Sequence, residues 1–271
     1  MENAGHSDGT VGKALAVLDR VAAFDRPVRF SEVMADSAYP KATLYRLLRT
    51  LVHQGMLAFD DESQTYAPGL RLVRLAHAAW QRMSLAPVAR KHIDALSAVV
   101  GETVHLGQLD TGQVLYVDKR NARVPVEMFA EAGKIGPAYC TGVGKAMLAF
   151  QSDSAREWLI AQQSFHAFQP NTLTSAEALR AELGAIRERG HAYDNEEHER
   201  GILCIALPVL SRSGRVLGGL SVTSTPARHD LDTLRALLPQ IETAVRRIAQ
   251  DAETWRFPEP PEEKRDAPCP D

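Results

Sequence analysis

One stretch of the sequence combines a leucine stripe with a basic face, and it strongly constrains how the first quarter of the chain can fold. The stretch reads Tyr39-Pro40-Lys41-Ala42-Thr43-Leu44-Tyr45-Arg46-Leu47-Leu48-Arg49-Thr50-Leu51. Its leucines are spaced i, i+3, i+4, i+7, as in a helix that packs one side on a core. Pro40 suits the first turn of a helix, and no acidic residue occurs from Pro40 to Gln54. The pattern predicts a helix that docks on a small domain and offers its basic side to DNA.

The segments before and after this helix predict further helices and a hairpin. Apolar spacing predicts two helices before it, and alternating residues after Gly55 predict a β-hairpin whose tip is the acidic stretch 60–64. Helix, helix, basic helix and hairpin in this order predict a winged helix-turn-helix over residues 10–68. The polar residues 1–9 are predicted to be a flexible start.

Composition excludes several classes of protein. With 271 residues and 45% hydrophobic content, the chain can build the cores of two domains. The net charge of −3 argues against a protein that coats nucleic acid nonspecifically. The chain has only three cysteines, without a CxxC pair, and this fits a reducing cytoplasm better than a disulfide framework. The polar start and the absence of a long apolar run predict no signal peptide and no membrane contact.

The remainder of the chain predicts an alternation of strands and helices. Residues 69–84 carry an amphipathic pattern, which we interpret as a linker helix. Hairpin turns are predicted at Thr111-Gly112 and at residues 211–214. A further strand is predicted at Val124–Phe129, and a long closing helix at Asp230–Ala252. Residues 253–271 are rich in proline and charge and are predicted to be a disordered tail.

Several runs of residues resemble the IclR family of bacterial transcription regulators. They occur in the order of the family over roughly residues 10–250, and six runs in order are far more specific than any one of them. The runs are Val11-Gly12-Lys13-Ala14-Leu15-Ala16-Val17-Leu18, Pro40-Lys41-Ala42-Thr43-Leu44-Tyr45-Arg46-Leu47-Leu48, Gly101-Glu102-Thr103-Val104-His105-Leu106, Thr141-Gly142-Val143-Gly144-Lys145-Ala146, Asp194-Asn195-Glu196-Glu197 and Gly201-Ile202-Leu203-Cys204-Ile205-Ala206-Leu207-Pro208-Val209.

The resemblance implies an α+β architecture. It consists of an N-terminal winged helix-turn-helix, a linker helix and a C-terminal GAF-like effector-binding domain with an antiparallel sheet, here residues 85–252. It also implies homodimers or dimers of dimers that bind double-stranded operator DNA under the control of a small molecule. Two departures from the family pattern concern the DNA-reading region. The usual Gly-Leu appears as Ala38-Tyr39, and the usual serine of Pro-Lys-Ser-Thr appears as Ala42.

The basic helix supplies the expected DNA contacts. We assign Thr43, Tyr45 and Arg46 to bases or nearby phosphates, and Lys41 and Arg49 mainly to phosphates. Arginine suits guanine because its planar fork donates two hydrogen bonds in one plane, whereas lysine acts as a point charge that positions the duplex. A charged helix face that is merely solvated is the alternative interpretation.

A second group of residues is expected to bind the effector. Glycines in Thr141-Gly142-Val143-Gly144 precede a predicted helix, whose free N–H groups suit a carboxylate. The resemblance adds Asp194, Cys204, Ser221 and Thr223 as effector contacts. Ser221 and Thr223 lie two apart on one strand, so their hydroxyls face one side of the sheet and could donate to a carboxylate or keto oxygen. Packing alone is the simpler explanation for Cys204, Ser221 and Thr223.

Other site chemistries find less support. A nucleotide P-loop is excluded because the glycine spacing is wrong and Ala146 stands where a Ser or Thr is needed. His191, Asp194, Glu197 and His198 match no strong metal motif, so no metal or cofactor is predicted. A thiol-based redox regulator would use Cys140 and Cys204, but no resolving partner is evident. An enzyme is not predicted, because no catalytic triad, carboxylate pair or cofactor motif is legible.

The sequence therefore predicts a cytoplasmic, sequence-specific DNA-binding transcriptional regulator of catabolic genes, with repression favoured over activation. The effector is predicted to be a small organic acid such as a 2-keto or sugar acid. An activator of the same architecture that responds to an aromatic acid is the alternative.

Overall fold

The chain forms two compact units with the boundary after Arg82, as seen in a computed structural model that describes residues 9–35 and 37–254. The predictions of flexibility for residues 1–8 and of disorder for residues 255–271 lie outside the described residues. Residues 253 and 254, also predicted to be disordered, close a short 3₁₀ helix, Ala252–Thr254. Among the described helices, none is long and apolar enough to cross a membrane.

The first unit is built from helices and a small sheet. In chain order its described elements are α1 (Thr10–Ala22), β1 (Val28–Arg29), α2 (Phe30–Ala35), α3 (Lys41–His53), β2 (Leu57–Asp60), β3 (Thr65–Pro68) and α4 (Leu70–Met83). Strand β3 lies between β1 and β2 and is antiparallel to both. This is the predicted winged helix-turn-helix, with α3 as the basic helix and β2–β3 as the wing.

The leucine stripe of α3 forms the centre of the first unit. All four of its leucines, Leu44, Leu47, Leu48 and Leu51, are buried. They pack in one cluster with apolar residues of α1 that include Val17 and Val21. Burial of a leucine side chain contributes about 1.5–3 kcal/mol, so the stripe fixes which side of α3 faces outward.

The second unit centres on an antiparallel sheet of six strands in the described residues. The strands are β4 (Thr103–Asp110), β5 (Gln113–Arg120), β6 (Ile135–Pro137), β7 (Ala192–Asn195), β8 (Leu203–Leu210) and β9 (Val216–Ser224), in the order β6-β5-β4-β9-β8-β7. The helices of this unit are α5 (Ala86–Val100), α6 (Gly142–Ala149), α7 (Asp153–Ala161), α8 (Ala176–Arg189), α9 (Leu231–Arg235) and α10 (Leu238–Asp251).

Helices cover both faces of this sheet. Helix α6 crosses one face, where it packs on β8, β9 and β4 and is backed by α8. Helices α5 and α10 pack on each other and on the opposite face. Every residue of α6 is buried, including Lys145. The first turn of α6 therefore lies inside the unit, directly over the sheet.

Two predicted elements differ in the structure. The strand predicted at Val124–Phe129 is wrong, because this segment runs as a loop and β6 pairs with β5 instead. Pro125 within the segment has no N–H to donate to a sheet. The closing helix is interrupted between α9 and α10, because Pro239 lacks the N–H that would bond the carbonyl of Arg235, and its ring would clash with that carbonyl.

Candidate functional site

The outward side of α3 carries the five residues predicted to contact DNA. Lys41, Tyr45, Arg46 and Arg49 are exposed, and Thr43 is partly buried. The Arg49 guanidinium lies 5.9 Å from the centre of the Tyr45 ring, and this contact draws the two side chains together.

The three cationic side chains on this surface are free of carboxylates. Among the described residues, none of Lys41, Arg46 and Arg49 forms an ion pair. Their charges are therefore available to an external anion, and a row of cations on a helix is the arrangement that binds the phosphates of DNA.

The predicted effector residues converge on one pocket in the second unit. Thr141, Gly142, Asp194, Cys204, Ser221 and Thr223 all line it. The enclosed cavity is small, about 30 Å³, and it opens to solvent at its mouth. Side chains that the sequence interpretation did not assign complete the wall, and they are His105, Tyr116, Met128, Ala130, Val143, His198, Glu199 and Ile202.

Strand register explains why residues far apart in the chain meet here. Asp194 pairs with Cys204 across β7 and β8, Cys204 with Thr223 across β8 and β9, and Thr223 with Thr103 across β9 and β4. Paired residues of antiparallel strands point to the same face. His105 pairs with Ser221 in the next row, so the sheet presents two adjacent rows of polar groups beneath α6.

Glycines allow the start of α6 to approach this sheet closely. A Cβ atom on Gly142 would overlap with Cys204 Sγ. A Cβ atom on Gly219 would lie 2.7 Å from Val143 Cγ2 and so would push the helix away. The Thr141 hydroxyl donates to the Pro137 carbonyl at 2.8 Å, which holds the turn that leads into the helix. The first-turn N–H groups of α6 are thus held over the polar rows of the sheet.

Asp194 is the buried acid of the pocket. Its Oδ1 accepts the Glu197 N–H at 2.8 Å, and the residue is 5% exposed. Burial, with the nearby negative charge of Glu197, raises the pKa of the Asp194 carboxyl to about 7. Part of the Asp194 population is therefore protonated near neutral pH, and the protonated carboxyl can donate as well as accept a hydrogen bond.

A buried ion pair lies behind Asp194. The Lys145 ammonium bonds Glu197 Oε1, and Glu182 Oε1 lies 3.9 Å from the same nitrogen. Both Lys145 and Glu197 lie in the family-like runs of the sequence, yet neither was given a role. The signal was present, since a lysine within an otherwise apolar helix needs a partner when it is buried.

His105 was also missed. It is buried, its Nδ1 lies 3.3 Å from Thr223 Oγ1, and its Nε2 lies 3.3 Å from the Ala130 carbonyl oxygen. Burial, assisted by the charge of Lys119, lowers the pKa of His105 to about 4, so the ring is neutral near pH 7. Thr103 and His105 interrupt an apolar strand at alternate positions, a pattern that could have indicated a polar face.

Two loops close the mouth of the pocket. The Phe129 N–H donates to both carboxylate oxygens of Glu199, at 3.0 and 2.9 Å. The Phe129 ring meets the His198 ring edge-on at 5.1 Å. The loop over residues 121–134 is thereby joined to the loop that follows β7.

The two cysteines in the described residues, Cys140 and Cys204, are poorly placed for redox chemistry. Cys140 is fully buried in the core and does not line the pocket, whereas Cys204 does. Burial raises the pKa of both thiols, and a protonated thiol is a weak nucleophile. In the described part of the chain, no three His, Cys, Asp or Glu residues are grouped to hold a metal ion.

Comparison with known proteins agrees with both units. The model described as "Bacterial transcriptional regulator IclR C-terminal" matches residues 77–250, and that of the "IclR helix-turn-helix domain" matches residues 10–61. The HTH-type transcriptional regulator KdgR of Escherichia coli is 32% identical over 225 residues, which cover 83% of this chain and 86% of KdgR. The acetate operon repressor of Salmonella typhimurium is 26% identical over 238 residues, 87% of each protein.

Solved structures show the same architecture. The crystal structure of the Thermotoga maritima IclR has a TM-score of 0.72 at 26% identity, with 89% of this chain and 97% of that chain covered. An IclR homolog from Microbacterium hydrocarbonoxydans, crystallised with 4-hydroxybenzoate, has a TM-score of 0.78 at 22% identity, with 90% and 98% covered. The relatives are transcriptional regulators and not enzymes. The chain, with its winged helix-turn-helix and its antiparallel-sheet effector domain, belongs to the IclR family of DNA-binding transcriptional regulators.

Proposed function

We propose that this regulator represses catabolic genes in the bacterial cytoplasm and that a small organic acid controls its binding to operator DNA. The observation that carries the proposal is the pocket under α6, where the helix start, Ser221, Thr223 and Asp194, whose pKa is raised, converge. The N–H groups at the helix start, the Ser221 hydroxyl and the protonated form of Asp194 provide neutral donors for a carboxylate. The name of one relative, the acetate operon repressor, favours repression.

The chemistry of the pocket favours a 2-keto or sugar acid. Hydroxyl, thiol, carboxyl and imidazole groups lie in two rows on its floor, and a compact ligand rich in oxygen can form hydrogen bonds with them. An aromatic acid is the second candidate. It is favoured by the rings of Tyr116 and His198 in the wall and by the 4-hydroxybenzoate bound to the Microbacterium homolog.

We infer that the protein reads DNA as a homodimer or as a dimer of dimers. Apolar side chains of α1 and α4 are uncovered in the single chain, with Val11, Leu70 and Val73 exposed by 74%, 87% and 65%. Two surfaces of this kind become buried if a second copy packs on them. The domain limits proposed are 10–68 for DNA binding, 69–84 for the linker helix and 85–252 for the effector domain. The linker helix is the proposed route by which ligand binding changes operator affinity.

The test has two stages. First, a thermal-shift screen of 2-keto, sugar and aromatic acids identifies acids that bind the protein. Fluorescence anisotropy then measures the affinity of the protein for DNA taken from upstream of its own gene, with and without each acid. We expect a binder to weaken DNA binding, and Ser221→Ala to abolish its effect while basal DNA affinity is retained. Acids that bind without changing DNA affinity, or an unaltered response in Ser221→Ala, would contradict the proposal.

A further inference from the structure

The hydrogen bonds of His105 determine which way the neighbouring Thr223 hydroxyl points. His105 Nε2 faces the carbonyl oxygen of Ala130, and a carbonyl oxygen only accepts. A neutral imidazole has one N–H, so this proton resides on Nε2 and leaves Nδ1 without one. The low pKa of His105 is consistent with a ring that stays neutral.

Nδ1 in turn needs a donor. It is buried and lies 3.3 Å from Thr223 Oγ1. Leaving a buried acceptor without a partner is unfavourable, so the Thr223 hydroxyl donates its hydrogen to Nδ1. The Tyr116 ring packs edge-on against the imidazole at 5.5 Å and holds the ring in this orientation.

The consequence concerns the part of Thr223 that faces the pocket. A hydroxyl has one hydrogen, and here that hydrogen is directed at His105. What Thr223 offers a ligand is then a lone pair. This reverses the sequence-based expectation that Thr223 donates to a carboxylate or keto oxygen.

We propose that His105 is a specificity-determining positioning residue, which orients Thr223 as an acceptor and so makes the pocket prefer a hydroxy acid over the corresponding keto acid. The inference rests on the proposed function, because it concerns the ligand of the same pocket. A ligand hydroxyl can donate to Thr223 Oγ1, whereas a keto oxygen would place two acceptors against each other. Donors for the carboxylate remain at Ser221 and at the start of α6.

A direct test requires no ligand. Long-range ¹⁵N–¹H NMR spectra of the full-length protein, labelled in its histidines, report the tautomer of His105, which is assigned from its absence in His105→Phe. We expect a neutral ring protonated on Nε2 at pH 7. A ring protonated on Nδ1, or an imidazolium, would overturn the proposal.

Paired ligands provide the second test. Dissociation constants are measured by calorimetry for lactate and pyruvate, 2-hydroxybutyrate and 2-oxobutyrate, and gluconate and 2-ketogluconate. We expect the hydroxy acid to bind about tenfold more tightly in at least one pair, the effect of one well-placed hydrogen bond. Thr223→Ser should keep the preference, while Thr223→Val and His105→Phe should lose it, with folding checked by thermal melts.

The outcomes separate the two levels of the proposal. Equal affinity within every pair that binds, or a preference that survives Thr223→Val, overturns the role of His105 but not the organic-acid pocket. If none of the six acids binds, this effector class is wrong, and the tautomer decides by itself whether His105 orients Thr223.

Discussion

Lys145 and Glu197 form an ion pair inside the second unit, with only 2% and 8% of their side chains exposed. Glu197 Oε2 is also buried and has no hydrogen-bond partner among the described residues. The backbone N–H of the same glutamate holds Asp194. The pair therefore connects the interior of α6 to the acid of the pocket.

Removal of one partner should destabilise this unit strongly. Lys145→Met leaves the Glu197 carboxylate buried without its cation, and we expect a loss of about 3–5 kcal/mol in the free energy of unfolding. Urea denaturation measures it. The double variant with Glu197→Gln is the control, because it removes the orphaned charge and should recover part of the loss. A double variant that is no more stable than Lys145→Met would argue against this account.

Arg46 should contribute to DNA binding without contributing to the fold. Arg46→Ala is expected to weaken operator binding by at least about tenfold. If the guanidinium contacts a phosphate, the dependence of log K on log salt should also become shallower by about one. Arg246→Ala, an exposed arginine of α10, is the matched control and should change neither quantity. An unchanged affinity in anisotropy titrations of Arg46→Ala would remove this residue from the interface.

Asp194 should make stability depend on pH. Its pKa is raised from 3.8 to about 7 in the folded state, so between these values the folded protein holds a proton that the unfolded chain has released. The stability that the raised pKa of Asp194 contributes is fully present below about pH 4. It is lost as pH rises through 7. Glu197 and Glu199 favour this protonation, and Lys145 opposes it.

The comparison of wild type with Asp194→Asn isolates this effect. His105 acts in the opposite direction, because its lowered pKa makes the folded state lose stability as pH falls below its unfolded value. Since both proteins contain His105, the difference in their unfolding free energies between pH 5 and pH 8 reports Asp194. We expect the free energy of unfolding of Asp194→Asn to increase relative to that of wild type as pH rises from 5 to 8. A constant difference would show that Asp194 titrates normally.

Gly142 is expected to be irreplaceable at the start of α6. Gly142→Ala places a methyl group against Cys204 Sγ, so we expect lower thermal stability and a weakened effector response. Gly184→Ala in α8 is the control, because nothing lies within 4 Å of the added Cβ, and alanine should stabilise that helix by up to about 1 kcal/mol. Combining Gly142→Ala with Cys204→Ala removes the sulfur and should restore part of the stability.

Self-association should depend on the uncovered side of α4. Val73→Glu introduces a charge into this surface, and we expect it to shift the protein toward the monomer in sedimentation or light-scattering measurements. Arg74→Glu is the neighbouring control for added negative charge. An oligomer that withstands Val73→Glu would place the interface elsewhere.

The sequence predicted the helices and hairpins well where the pattern is local. The spacing of the leucines of α3 predicts both the helix and its buried side, and Thr111-Gly112 predicts the turn between β4 and β5. The prediction failed where a proline altered the backbone. Val124–Phe129 has the residues of a strand, but Pro125 cannot complete a ladder, and Pro239 divides a helix whose apolar spacing is otherwise continuous.

The pocket was predictable only in part for a different reason. Ser221 and Thr223 follow from alternation along one strand, whereas the positions of His105 and Glu199 depend on which strands and loops become neighbours. That information is long-range, and a single sequence does not contain it in legible form. Cys140 shows the converse, since it is adjacent to Thr141 in the chain and yet points into the core.

The floor of the pocket is formed by the sheet, whereas its roof is formed by a loop. The floor is a continuous sheet against which α6 rests through glycine contacts, so a change there disturbs the whole unit. The roof is the loop over residues 121–134, which is joined to the loop after β7 through Phe129 and to the sheet through contacts such as that of the Ala130 carbonyl with His105. Most side chains of residues 121–134 are exposed, so their substitution can reshape the space above the pocket at less cost to folding than a change in the buried floor. In this architecture a regulator can acquire a new signal by changing its roof alone, while the foundation and the DNA-reading helix remain as they were.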